Sequence, residues 1–186
     1  MKTGRLIILT VTCLLFVAAA PSLAEDSWFD YDVYGYFKLD GARDQSQTNN
    51  GNYVMWVETE DDEQFNMTAN QSLIGFNAFS DNYDNIHVGG NLEFDLYGGG
   101  AENKSYLMLR HAYLWMQSGG TKLVAGQTWD IISPLNPSTL NYSVLWGCGN
   151  IGYRRPQVSL WHTFNHQNPT NFNVRFGMFR TMGDNA

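Results

Sequence analysis

The sequence predicts an all-β chain, folded as part of a transmembrane antiparallel β-barrel, on three observations. Segments of strand length alternate residue by residue between apolar and polar side chains. The connections between them alternate between short turns and long polar loops. The basic residues inside the segments fall on the polar side of the alternation. A half-buried strand accounts for the first observation, and an outer-membrane barrel accounts for all three.

The first 24 residues stand apart from this pattern. Lys2 and Arg5 precede a 15-residue apolar run, Leu6 to Ala20, and Ser22-Leu23-Ala24 places small residues where a signal peptidase reads them. This is the layout of a secretory signal cut after Ala24, and the run falls short of the roughly 20 residues a spanning helix needs. Cys13 lacks the surroundings of a lipid-attachment cysteine. Residues 25–186 then form a single domain, the N-terminal part of a barrel. Without the signal the chain carries 9 basic and 18 acidic residues, a formal charge of −9, which argues against nucleic acid as a partner. Cys148 is left alone, so no intrachain disulfide framework is possible.

Val33 to Ala42 opens the alternation, with Val33, Gly35, Phe37 and Leu39 opposite Tyr34, Tyr36, Lys38 and Asp40. Phe65 to Phe79 alternates but changes parity near Gln71, which predicts a β-bulge there. Ile86 to Leu96 is strictly periodic over 11 residues, with Ile86, Val88, Gly90, Leu92, Phe94 and Leu96 on one side and His87, Gly89, Asn91, Glu93 and Asp95 on the other. That length fits a tilted membrane-spanning strand of about 9 to 11 residues. In Ser105 to Gln117, Leu107, Leu109, Tyr113 and Trp115 share a parity with His111, while Arg110 shares one with Met108. Lys122 to Trp129 reads as a further strand. Pro156 to Phe164 sets Val158, Leu160 and Phe164 against Gln157, Ser159 and Trp161. Asn171 to Thr181 sets Phe172, Val174, Phe176 and Met178 against Asn173 and Arg175.

Residues 43 to 64, 97 to 104 and 130 to 155 are long or polar connections, whereas 80 to 84, 118 to 121 and 165 to 169 are short turns. Aromatic residues gather at strand ends (Tyr31 and Tyr34, Tyr97 and Tyr106, Tyr113 and Trp115, Phe164 and Phe172), as in the belts at membrane interfaces. A Lys or Arg facing lipid at mid-membrane costs about 2 to 4 kcal/mol. Lys38, Arg110, Arg155 and Arg175 are therefore expected to face the lumen, alongside Asp40, Glu93 and Asp95. Seven strands are too few, and odd in number, for a closed single-chain barrel, so the chain is expected to contribute one part of a longer wall or to share a barrel with other chains.

The longest connection, Asp130 to Arg155, carries Pro134, Pro137 and the cluster Trp146-Gly147-Cys148-Gly149-Asn150. A loop of this length inside a compact fold is usually functional. Folded into a lumen, it would narrow the channel with its backbone wetted by water. Asp130, Asn136, Asn141, Tyr142, Trp146 and Arg154 are its candidate constriction residues.

No catalytic motif is present, and no cofactor or metal is implied. His87, His111, His162 and His166 lack zinc-site spacing, because a turn over Asn165 to Thr170 separates the last two. The acidic run Glu58, Glu60, Asp61, Asp62 and Glu63 reads as a solvated loop, or as a surface that divalent cations bridge to anionic lipid headgroups.

Several stretches together resemble the DcaP-like outer-membrane porins: Tyr34-Gly35-Tyr36-Phe37-Lys38-Leu39-Asp40, Asn70-Gln71-Ser72-Leu73-Ile74-Gly75-Phe76, Leu109-Arg110-His111-Ala112-Tyr113, Gly126-Gln127-Thr128-Trp129 and Arg155-Pro156-Gln157-Val158. The resemblance runs with gaps from about residue 34 to 160. It implies a trimeric barrel of about sixteen strands in the outer membrane of a Gram-negative-type bacterium, set in lipid and passing small hydrophilic, often anionic or dicarboxylate, solutes. It also implies arginines in the constriction, with Arg110 and Arg155 lining the pore and Asp130 to Arg154 as the constricting loop. The chain departs from the family at Leu73, where members often carry a basic residue. The competing reading is a secreted soluble β-sandwich binding protein with exposed loops, for which the Asn-x-Ser/Thr sequons at Asn66, Asn70, Asn103 and Asn141 are glycosylation acceptors by pattern.

Overall fold

The computed structural model describes residues 29–48, 56–58, 62–83, 85–99, 105–132, 134–135, 152–167 and 169–181. The chain divides into two units, Met1–Asp30 and Tyr31–Ala186, and apart from the first residue of the first strand everything below belongs to the second. The signal reading, and Asn136, Asn141, Tyr142 and Trp146, lie outside the described residues.

Nine strands form in chain order: β1 (Asp30–Tyr36), β2 (Asp40–Asp44), β3 (Gln64–Thr68), β4 (Leu73–Tyr83), β5 (Ile86–Asp95), β6 (Met108–Ser118), β7 (Thr121–Trp129), β8 (Arg154–Phe164) and β9 (Phe172–Phe179). Seven of them make one sheet in the order β1-β4-β5-β6-β7-β8-β9, and β2 pairs with β3. From β4 to β9 every neighbour in the sheet is also the neighbour in sequence, and each of these pairings is antiparallel. Each long connection therefore falls at one end of the sheet and each short turn at the other.

The segment expected as one strand over Val33 to Ala42 is split into β1 and β2 by residues 37 to 39, and the next segment into β3 and β4 by residues 69 to 72. The second interruption is where the parity changes. Asn66 and Thr68 are buried on one side of β3, whereas in β4 it is Leu73 that pairs with Asp95, and Asn77 with Asn91. A local turn, Ser72 N–H to Ala69 O at 2.9 Å, re-sets the strand, and Ser72 Oγ accepts a hydrogen bond from Lys38 N–H across the gap.

A second irregularity resolves the ambiguous parity of β6. Glu93 pairs with His111, but Phe94 pairs with Leu109, so Arg110 is an extra residue in the ladder. The bulge lets Arg110 and His111 both reach the side that carries Glu93. Beyond it Tyr113 pairs with Asn91 and Trp115 with Gly89, so these two aromatics stand on the polar face. The interface-belt expectation is corrected for them, for Tyr34, whose hydroxyl bonds to Glu93, and for Tyr97, which is buried. Tyr31, which stacks on Phe76, and Phe164 and Phe172, whose rings meet at 6.0 Å, are exposed.

Burial is inverted relative to a water-soluble protein. Among the described residues the buried hydrophobics are Ala42, Tyr97 and Val124, while Asp95 and Ser159 are each 1% exposed. On the other face Leu114, Phe176 and Met178 are 70%, 68% and 75% exposed. Fully burying such a side chain is worth about 1.5–3 kcal/mol, and a β-sandwich would gain it by packing this face on a second sheet. Here the apolar face has no covering sheet among the described residues, and the single unclosed sheet is part of a barrel wall. The soluble sandwich is thereby corrected. Asn66 and Asn70 are also buried.

Gly126 bends β7 with φ of +130°, and a Cβ there would meet Ala112 O, Tyr113 Cα and Tyr113 Cβ. Gly126→Val is expected to destabilise the sheet by about 1–3 kcal/mol from backbone strain alone, read as a lowered midpoint of denaturant unfolding in detergent.

Candidate functional site

The polar face has its densest charge near the long-loop end of β5 and β6. Glu93 and Asp95, two apart on β5, project from the same side, and Arg110 forks between them. Its Nε lies 2.5 Å from Glu93 Oε1 and its Nη1 lies 2.6 Å from Asp95 Oδ2. Charge-assisted contacts of this kind are shorter and about twice as strong as neutral ones. The second Glu93 oxygen accepts from Tyr34 Oη at 2.7 Å, and the Asn91 amide donates to Tyr34 Oη and to Asn77 Oδ1. Asp95 Oδ1 takes the Tyr97 N–H. His111 sits 3.8 Å from Glu93 and places Nδ1 3.0 Å from Thr128 Oγ1. Four strands, β1, β4, β5 and β6, thus share one hydrogen-bonded network, and the His111–Thr128 pair joins β6 to β7 beside it.

The base of the long loop has its own clasp. Asp130 takes Nε and Nη2 of Arg155 on Oδ2, at 2.9 and 2.7 Å. The same oxygen accepts the Tyr153 N–H, while Oδ1 accepts that of Ile132. Asp130 N–H donates to Tyr153 O. One carboxylate therefore holds the outgoing and returning chain together, with none of its side chain exposed. Gln157 adds bonds from Nε2 to Thr128 O and Trp129 O. Arg154, paired in register with Trp129, lays its guanidinium 4.8 Å from that ring's centroid.

Lys38, at the break between β1 and β2, reaches Asp40 at 3.1 Å and Gln71 Oε1 at 2.7 Å. Arg175 is far from these groups in the ladder and stands over Trp161 at 4.3 Å. The structure thus brings Glu93, Asp95 and Arg110 together, joins Asp130 to Arg155, pairs Lys38 with Asp40, and sets Arg175 apart with Trp161. Leu73 lies opposite Asp95 in the ladder, so Arg110 is the cation that serves that carboxylate. Tyr34, His111, Thr128 and Gln157 also belong to this face and were missed by the sequence reading. The alternation of Tyr34 and of Gln157 pointed there, whereas the bulge at Arg110 disguises His111.

Among the described residues no group of His, Cys, Asp and Glu could hold a metal ion. Of the acidic run in the first long loop, Glu60 and Asp61 lie outside the described residues, and Glu63 pairs with Arg43. His162 Nδ1 lies 2.9 Å from Thr121 Oγ1.

Removing one partner of a buried ion pair strands the other charge, at about 3–5 kcal/mol. Asp130→Ala and Arg155→Ala are each expected to destabilise the protein on that scale, and the double variant to lose clearly less than the sum of the two. Denaturant unfolding in detergent, set out as a double-mutant cycle, measures the coupling.

No protein-family model matches the chain, and no curated protein matches its sequence. Among solved structures, the crystal structure of the outer membrane channel DcaP of Acinetobacter baumannii is similar, with a TM-score of 0.65 over 83% of this chain at 22% identity. The chain spans less than half of that protein, 42% of its length. In fold, the chain is similar to that outer-membrane channel, with its seven-stranded sheet as part of a β-barrel wall.

Proposed function

We propose that the chain belongs to an outer-membrane porin, a water-filled channel through which small hydrophilic solutes diffuse passively. The inverted burial carries this reading: the apolar face is open where lipid would cover it, and the opposite face is a connected polar network suited to contact with water. The fold likeness to a channel supports it. Because the chain corresponds to part of that protein's length, the closed pore of about sixteen strands and its assembly into trimers belong to the proposal as well.

In this reading the long connections lie outside the cell and the short turns face the periplasm. The segment from Asp130 to Arg155 folds inward and sets the size limit, rooted by the Asp130–Arg155 clasp. Solute meets Lys38, Asp40, Glu93, Asp95, Arg110, Arg155 and Arg175 along the wall. Three of these cations are already matched by carboxylates, so the wall near the loop end orders water and polar groups more than it concentrates anions. A mild preference for anions remains at low salt, and it fades as the Debye length falls to about 10 Å at 0.1 M.

Two measurements test this. Purified protein inserted into planar bilayers is expected to give stepwise, ohmic conductance, and well-folded protein that yields none would overturn the channel. A nitroxide at Val174 is expected to collide with dissolved oxygen, and one at Asn173 with a water-soluble nickel chelate. The reverse pattern would place water against the apolar face and exclude the membrane.

A further inference from the structure

The cations of the polar face fall into two groups. Lys38, Arg110 and Arg155 each meet a carboxylate. Lys122 and Arg175 have no carboxylate within ion-pair distance among the described residues, and both rest on tryptophan instead. Lys122 Nζ is 4.4 Å from the Trp115 centroid and 5.8 Å from that of Trp161, while Arg175 Cζ is 4.3 Å from the Trp161 centroid. An aromatic face stabilises a cation through its quadrupole, but it adds no negative charge. No carboxylate among the described residues therefore offsets either charge.

Their placement follows from register. Gln117 pairs with Lys122, Lys122 with Trp161, and Trp161 with Arg175, which forms one row across β6, β7, β8 and β9. The next row toward the turns holds Thr163 opposite Asn173, joined by a 2.6 Å hydrogen bond from Thr163 Oγ1 to Asn173 Oδ1. With Gly119, Gly120 and His166 these rows line a polar cavity of about 360 Å³, which lies within the range for small-molecule sites.

The sequence reinforces the local picture. Between Glu102 and Asp184 the one acidic residue is Asp130, and Arg155 already occupies it. Over the same span lie Lys104, Arg110, Lys122, Arg154, Arg155, Arg175 and Arg180. A low-dielectric wall bearing one sign of charge focuses its field on counter-ions.

We propose that the short-turn end of the polar face holds an oxyanion-binding site, formed by Lys122 and Arg175 on their tryptophan supports, which takes the carboxylate or phosphate group of a small solute. The Lys122 ammonium offers three donors and the Arg175 guanidinium five. The site is separate from the paired arginines at the loop end. It rests on the channel reading above only for its place on a permeation path.

The test compares the full-length wild type with Lys122→Gln/Arg175→Gln and with the charge-keeping Lys122→Arg/Arg175→Lys. In a KCl gradient at low salt, the chloride-to-potassium permeability ratio is expected to fall about twofold or more in the first variant and to hold in the second. An unchanged ratio in the Gln variant overturns the site. Should the wild type conduct nothing, the channel reading fails instead, and thermal unfolding in detergent decides the site. Succinate, inorganic phosphate or both are then expected to raise the wild-type Tm, and neutral succinamide to leave it alone. That rise must be absent from the Gln variant. No rise with either anion, or an equal rise in both proteins, overturns the proposal. A rise with succinate alone identifies carboxylate as the ligand group, and an equal rise with phosphate identifies charge as the criterion.

Discussion

Side-chain period in a strand is two, so a slip of one residue in any pairing exchanges the faces completely. Everything on the polar face depends on that register. Were β5 displaced by one residue, Glu93 and Asp95 would turn to the apolar side and leave Arg110 without either carboxylate. The ladder holds β5 with Glu93 opposite Gly75 on one side and opposite His111 on the other. The ion pairs of Arg110 with Glu93 and Asp95 thus act as register markers, because they form only when β5 and β6 are in step.

Register is also re-set at residues 69 to 72 and at Arg110, and both changes serve the polar face. The interruption at residues 69 to 72 exchanges the parity of β3 and β4, which keeps Asn66 and Thr68 on one side of the turn and Asn77 on the other in the same polar layer. The bulge at Arg110 allows two consecutive residues, Arg110 and His111, to contact Glu93. A regular strand would have sent one of them to the apolar face, where a guanidinium is costly.

These details explain what the sequence could and could not disclose. Ile86 to Leu96 was legible because it is uninterrupted, and β5 follows it almost residue for residue. The parity change near Gln71 was legible because apolar residues mark both sides of it. The bulge at Arg110 was not, since one extra residue in β6 simply makes the alternation look mixed. The aromatics Tyr34, Tyr113 and Trp115 misled for a related reason. Ring side chains suit a lipid interface and a hydrogen-bonded lumen equally, and only the partner strand decides between them. The Asp130 clasp lay beyond reach because its partner, Arg155, sits at the far root of the loop. The pairing of Lys122 and Arg175 with tryptophans likewise depends on a row that crosses four strands.

The uneven distribution of acids around the sheet has a directional consequence. β5 presents Glu93 and Asp95, whereas β7 to β9 present Lys122 and Arg175 with no acid in any of those strands. The electrical potential therefore changes sideways across the wall as well as along it. A dipolar group lying against this face would feel a torque, its positive end turned toward β5 and its negative end toward β9.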